Sequence, residues 1–420
     1  MRLRLPTNVP AFAVLQDRDF RAIWYVGGLH EISRRMELFV LSWFILQTTN
    51  SPFQLGLVMV FNNVPRLLFS LFFGMVTDRF SRRRILAVAQ SINTIVAVVI
   101  FWLIVNDSLA SWHVFSAAFM QGLSRSLDDP ARRTAMLDIV GEGRIVNALS
   151  LDQISNTVGK MSGPILAGVL LATYDFAGAY VLVMTVHLAT LGMLFRVRIP
   201  SFQRVASQTE PAWRSIAAGL KHAAKNRLLL GMLFITIIMN AMAFPLQQFI
   251  PAIGRDNLQV GVVLIGLLGA AEGVGQLIGA GVMSTTRNIM HHGRIFVIGS
   301  STVLLMALLF VWSPWYALSF LLLTASGVGQ SGFATMQSSI TMLSAPREMR
   351  GQMVGLMSVC IGLGWFLGPL EIGGIAALFS TQWAISVNAL VGLLLLLPAV
   401  IFTPLVRNPA GQPEPATAQD

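Results

Sequence analysis

The sequence is short of charge, of cysteine and of any catalytic or metal-binding signature. Only 11% of its 420 residues are charged, against 55% hydrophobic. A soluble domain carries about 25% charged residues, so a soluble globular chain is excluded. The single cysteine, Cys360, rules out an intrachain disulfide. His291 and His292 are adjacent and lack partners at ligand spacing, so no metal site is expected. No HExxH or GxSxG pattern points to an enzyme, and no cofactor is implied. The opening MRLRLPTNVP has no apolar core, so no signal peptide is expected.

What is present is a series of apolar runs of twenty residues or more, each long enough to cross about 30 Å of hydrocarbon. Twelve spans are expected, near 22–48, 53–76, 85–105, 111–134, 146–172, 177–197, 228–252, 258–283, 294–312, 315–342, 350–379 and 382–405. The fold class is thus an all-α, multi-pass membrane protein. The net charge of +10 is distributed as topology requires. Most Lys and Arg fall in or beside segments that are cytoplasmic if both termini are, and the outer loops hold only Arg255. This is the positive-inside pattern, not a nucleic-acid footprint.

Residues 198–227 form the longest polar interval. Within it Trp213, Ile216, Leu220 and Ala224 share one helical face, and Arg214, Lys221 and Lys225 lie beside it. That pattern suits a helix lying on the cytoplasmic leaflet beside anionic lipid. The expected organisation is a six-helix bundle over 1–197, this linker over 198–227, a second bundle over 228–405 and a tail over 406–420. The halves are related. Gly159-x-x-x-Gly163-Pro164 recurs 205 residues later as Gly364-x-x-x-Gly368-Pro369. Gly56, Gly74 and Gly122 recur at the same offset as Gly261, Gly279 and Gly327. A duplicated unit explains so many coincidences at one offset. Glycines four apart allow close helix approach, and each proline permits a bend.

Between the second and third spans lies Gly74-Met-Val-Thr-Asp78-Arg79-Phe-Ser81-Arg82-Arg83-Arg84. This resembles motif A of the major facilitator superfamily, with Ser81 where the motif usually has glycine. FRAIW (20–24), DDPARRTAML (128–137) and NALSLDQISNTVGKMSGPILAG (147–168) are similar to the branch of bacterial enterobactin-type siderophore and drug exporters. The Gly159 segment resembles the fifth-helix motif of superfamily exporters. The resemblance implies two pseudo-symmetric six-helix bundles that alternate access across an inner membrane. It also implies a latch built on Gly74, Asp78, Arg79, Arg82 and Arg83, with Arg132, Arg133, Asp138 and Glu142 as nearby partners. Asp78 and Arg79 correspond to Met283 and Ser284 in the second half, so the latch is asymmetric.

The first half also carries Glu31, Arg34, Arg35, Glu37, Arg66, Arg125, Asp128, Asp129, Asp152 and Lys160 inside expected spans, while the second has Glu272 and Glu371. A charge at a helix centre costs about 2.5–3.5 kcal/mol. Four central charges in HEISRRMEL (30–38) would therefore oppose insertion by roughly 10–14 kcal/mol, which excludes lipid exposure of that face. Glu31–Arg35 and Arg34–Glu37 are expected ion pairs at helical spacing. Asn62 and Arg66 share a face of the second span. Asp152, Asn156 and Lys160 follow one side of the fifth.

Two readings stand side by side: a self-neutralising network that holds the half together, or a wall that binds a charged solute or carries protons. Five cations are more than a purely hydrophobic cargo needs, which favours an amphiphilic, anionic or zwitterionic small molecule. For coupling to protons the natural carboxylate is one without a local cation. Glu272 is the first candidate, with Asp128 and Glu31 behind it. The expected function is a monomeric secondary transporter, proton-coupled and exporting, with membrane lipid and the small molecule as its partners. A lipid or lysophospholipid flippase and a non-transporting sensor on the same scaffold are the alternatives.

Overall fold

The computed structural model describes residues 14–197, 199, 212–224, 226–285, 291–345 and 349–406. Of these, residues 70–79, 142, 146, 212–216, 218, 350 and 351 are described by their backbone alone. The described residues are helical, with no strand among them. In chain order the helices are α1 (Arg18–Thr49), α2 (Pro52–Arg79), α3 (Arg82–Val105), α4 (Ser111–Val140) and α5 (Ile145–Leu194). They continue as α6 (Ala212–Ala224), α7 (Arg227–Ile238), α8 (Leu246–Asp256), α9 (Val262–Thr285) and α10 (His292–Val311). The last three are α11 (Tyr316–Ser344), α12 (Arg350–Leu378) and α13 (Thr381–Phe402).

Local chemistry explains several boundaries. Asp17 caps α1 by accepting from the Asp19 and Phe20 amides at 2.9 and 3.1 Å, a preferred use of aspartate at a helix start. Asn50 ends α1 in the left-handed region at φ 48°. Asn226 caps α7 through the Leu228 and Leu229 amides. The expected fifth and sixth spans both lie within α5 and are divided at Asp175, whose backbone is not helical (φ 56°, ψ −165°). The expected seventh span is α7 and α8, joined through a wide π-turn at Met239–Ala243.

Eight helices among the described residues are long and apolar enough to cross a membrane. The 48-residue stretch Asn147–Leu194 counts once among them, although Asp175 divides it. α1, α2 and α4 fall outside that group. They are 32, 28 and 30 residues long, and they bear Glu31, Arg34, Arg66, Arg125 and Asp128. The chain is an integral, multi-pass membrane protein.

The described residues divide into two compact units. One lies within Met1–Gln208 and Gln248–Gly273, the other within Thr209–Gln247 and Val274–Asp420. The first has a core of Phe20, Ile23, Ile85, Leu86, Ala131, Met136, Leu151 and Leu194. In it, α1 packs along α5 because Gly159 and Gly163 present no side chain. A Cβ on Gly159 would lie 3.0 Å from Glu31 C, and one on Gly163 would lie 2.5 Å from Arg35 Cβ.

The second unit has a core of Met232, Phe244, Phe296, Phe333, Met336 and Leu396. Phe333 stacks on Phe296 at 4.9 Å and meets Phe244 edge-on at 5.3 Å. The same glycine device recurs there, since a Cβ on Gly364 would lie 2.5 Å from Asn240 Cβ and Gly368 abuts Ala241 and Pro245. In both units the repeated Gly-x-x-x-Gly therefore seats the backbone of another helix.

The linker helix is α6. Of its expected lipid-facing stripe, Leu220 and Ala224 are exposed, while Ala223 and Gly219 are buried, Gly219 beside Gln352. The helix thus has a packed face as well as a free one. Trp213, Arg214 and Ile216 have side chains outside the described set, as does all of Lys225.

Candidate functional site

Helical geometry places Glu31, Arg34 and Arg35 on one side of α1 and His30, Ser33 and Glu37 on another, because each residue advances about 100°. The first group forms a charged cluster with α4. Arg34 Nη2 donates to Glu31 Oε2 at 2.6 Å, and Arg35 Nε lies 3.9 Å from the same oxygen. Arg125 Nε approaches Asp129 Oδ2 at 3.4 Å. Arg66, exposed on α2, is within electrostatic reach of both Arg125 and Asp129. Four arginines thus surround two carboxylates. Arg34 Nε and Arg35 Nε are buried without a hydrogen-bond partner among the described residues, leaving donor capacity for an anion.

The expected Arg34–Glu37 pair does not form. Arg34 reaches back one turn to Glu31, the direction helical side chains favour, and Glu37 turns to the other side of α1. Asp128 pairs with Arg132, not with Arg125. Asn62 donates to the Ala118 carbonyl at 3.2 Å, tying α2 to α4 beside Gly122. Asp152 is half-buried, and Arg132 and Arg133 are its nearest cations in electrostatic terms.

Glu272 corrects a premise drawn from the sequence. No cation lies within a turn of it along the chain, yet Lys160 Nζ sits 3.2 Å from its Oε2. The partner comes from α5, 112 residues away, where no local spacing rule could find it. The two helices approach closely around the pair, since a Cβ on Gly269 would lie 3.1 Å from Pro164 Cβ and Gly168 abuts Val262 and Val263. Glu371, following Pro369, is half-buried.

At the other end of the first unit, Arg82 Nε lies 3.5 Å from Asp138 Oδ2, with both side chains under a tenth exposed. Arg83 donates to the Phe195 carbonyl. The Arg82-Arg83 part of the motif loop thus joins the C-terminal ends of α4 and α5. The side chains of Gly74, Asp78, Arg79 and Glu142 lie outside the described residues.

A second polar network was not read from the sequence. Glu37 faces His187, Nε2 to Oε2 3.5 Å, and accepts from Tyr180 Oη at 3.4 Å. Ser33 Oγ is 3.3 Å from His187 Nε2, and Gln90 Nε2 is 3.0 Å from His187 Nδ1. Glu37, His187 and Tyr180 are each 1% exposed or less. Tyr180 and His187 stand seven residues apart in an otherwise apolar run, two helical turns on one face. That spacing was the available signal.

The whole length of the chain has relatives. A family model described as transmembrane secretion effector matches residues 9–417. The enterobactin exporter EntS of Escherichia coli O1:K1 is 23% identical over 387 residues, covering 91% of this chain and 92% of that protein. Its counterpart in Shigella flexneri is 24% identical with the same coverage. Among solved structures, the nucleoside transporter NupG matches with a TM-score of 0.72 at 13% identity, covering 91% of this chain and 98% of its own. An occupied, inward-facing bacterial homolog of the human lysosomal transporter Spinster gives 0.69 at 14%, covering 91% and 95%. These are transporters, not enzymes, and the fold is theirs. By full-length match to its model, this chain is a member of the transmembrane secretion effector family of major facilitator transporters.

Proposed function

We propose that the chain is a proton-coupled exporter of an amphiphilic anionic or zwitterionic small molecule. In this reading twelve spans form two six-helix bundles, 1–197 and 228–405, joined by the linker. They alternate access in a bacterial inner membrane with both termini cytoplasmic. The observation that carries the cargo class is the imbalance of Arg34, Arg35, Arg66 and Arg125 against Glu31 and Asp129. Holding an unmatched guanidinium at membrane depth is costly, and an anionic group on the cargo would offset it with charge-assisted hydrogen bonds. The relatives' role as enterobactin exporters supports the outward direction.

Glu272 takes a different part here from the one its sequence context suggests. Its pair with Lys160 breaks whenever α5 and α9 separate, so it weights one conformation against another. Asp78, Arg79 and Arg82 remain the proposed latch, with Asp138 as the partner that Arg82 uses.

Proteoliposomes with an imposed pH gradient test the reading. They are loaded in turn with enterobactin, a simple aromatic carboxylate and a lipophilic cation. Gradient-dependent flux of the anionic probes, cut at least tenfold by Arg125→Gln, is the expected result. Flux of the cation alone, or anion flux indifferent to Arg125, refutes the cargo class. Flux indifferent to the gradient refutes proton coupling.

A further inference from the structure

Each carboxylate that the sequence offered as a proton carrier has a permanent cation in contact: Glu272 has Lys160, Asp128 has Arg132 and Glu31 has Arg34. Protonating any of them would leave a buried cation unmatched. Glu37 is different. Among the described residues no lysine or arginine lies within ion-pair distance of it, and its charged-group neighbour is His187. We propose that Glu37, held by His187 and Tyr180 between α1 and α5, is a proton-binding site of this transporter.

The hydrogen-bond pattern assigns the proton to one group. The Gln90 amide nitrogen has three acceptors around it: His187 Nδ1 at 3.0 Å, the His187 carbonyl at 3.2 Å and Thr190 Oγ1 at 2.7 Å. Thr190 donates its own hydrogen to the Val186 or His187 carbonyl, so its oxygen is left to accept. The His187 carbonyl can only accept, so it calls for the amide nitrogen at this position, and Nδ1 then accepts from the same group. The imidazole hydrogen then sits on Nε2, which faces Glu37 Oε2 and Ser33 Oγ. A second ring proton would have to point from Nδ1 at an N–H donor. The ring thus turns an N–H towards Glu37, the carboxyl that has no lysine or arginine beside it among the described residues.

Charge bookkeeping makes the site more than packing. With Glu37 ionised, this face of α1 holds one unmatched negative charge at 1% exposure. With Glu37 protonated it holds none. A neutral glutamine could accept from His187 Nε2 and donate to Tyr180 Oη without that cost, so hydrogen bonding alone does not call for an ionisable residue here.

The surrounding groups leave the assignment intact. On α1, His30 lies 6.0 Å from the His187 ring, and Glu31 and Arg34 are joined to each other. From α3 come uncharged Gln90 and Thr94. From α4, Arg132 is within electrostatic reach of His30 and is joined to Asp128. From α5, beyond Tyr180 and His187, Lys160 is engaged by Glu272 and Asp152 lies by Arg132.

The site rests on the proton-coupled reading only for its use, and it is tested without any cargo. Full-length protein in lipid nanodiscs, with and without ¹³C-labelled glutamate, is titrated while difference infrared spectra are recorded. The expected result is a protonated-carboxyl C=O stretch that shifts with the label and with deuteration, disappears as pH rises, and is lost in Glu37→Gln. In His187→Gln its midpoint moves. The Glu37→Gln protein should be monodisperse and melt no lower than wild type. A titrating band that Glu37→Gln leaves in place overturns the site, and so does an unmoved midpoint in His187→Gln. Should Glu37→Gln fail to fold, the absence of any label-shifted titrating band in the wild type also overturns it. A titrating Glu37 in a protein whose flux ignores the pH gradient keeps the site and removes the coupled reading. Gradient-driven flux without a titrating Glu37 removes the site alone.

Discussion

Replacing Lys160 with methionine removes one partner of a buried ion pair and leaves the other in place. The Lys160 side chain is 11% exposed and that of Glu272 5%, with 3.2 Å between the charged atoms. A charge abandoned at such a site costs about 3–5 kcal/mol, or roughly two to three and a half orders of magnitude in the folding equilibrium. Little of this reflects the net worth of the intact pair, since desolvating two charges offsets most of their attraction. Removing both charges, as Lys160→Met with Glu272→Gln, should therefore return stability to within about 1 kcal/mol of wild type, in line with neutral replacements of buried pairs. The assay is equilibrium unfolding by sodium dodecyl sulfate in mixed micelles, followed by tryptophan fluorescence, for wild type, both single variants and the double. The cycle isolates the pair from other contacts of Lys160. A single variant costing under about 1 kcal/mol, the level of a solvent-exposed pair, refutes the reasoning. So does a double variant whose loss equals the sum of the singles.

Gly163→Ala sets a Cβ 2.5 Å from Arg35 Cβ and 3.0 Å from Met36 N, an overpacking worth about 1–3 kcal/mol. A lower melting temperature in detergent is expected, and a matching loss in Gly368→Ala, where Ala241 and Pro245 are the obstacles. Unchanged melting would show that these helices yield freely. Asp78→Asn should insert normally in the membrane fraction but transport slowly, and wild-type flux in that variant removes the latch role.

The membrane class and the repeated glycine device were legible because both depend on local pattern. A run of apolar residues and a four-residue spacing mean the same thing wherever they occur. The charge inventory of HEISRRMEL was legible too, but its pairing was not. Spacing allows Arg34 to choose Glu31 or Glu37 with equal ease, and the choice is made by what stands on α5. Glu37 has Tyr180 and His187 to turn to, 143 and 150 residues away along the chain. Lys160 and Glu272 illustrate the same limit, since a carboxylate can be isolated in sequence and paired in space. The boundary between the fifth and sixth spans was legible as well: it was expected within 173–176, and the backbone leaves helical geometry at Asp175, although no proline or glycine marks that position.

The wide turn at Met239–Ala243 has a consequence for how this chain tolerates change. It holds one residue more than an ordinary helical turn, with Phe244 N bonding to Met239 O and the Asn240 amide occupying the Thr236 carbonyl. Such turns are a helix's way of absorbing an insertion. Removing one residue there restores regular winding and keeps Leu246–Asp256 presenting its present faces. Elsewhere in a transmembrane helix the same deletion rotates everything beyond it by about 100°. The segment that seats Gly364 is thus a place where length itself is adjustable.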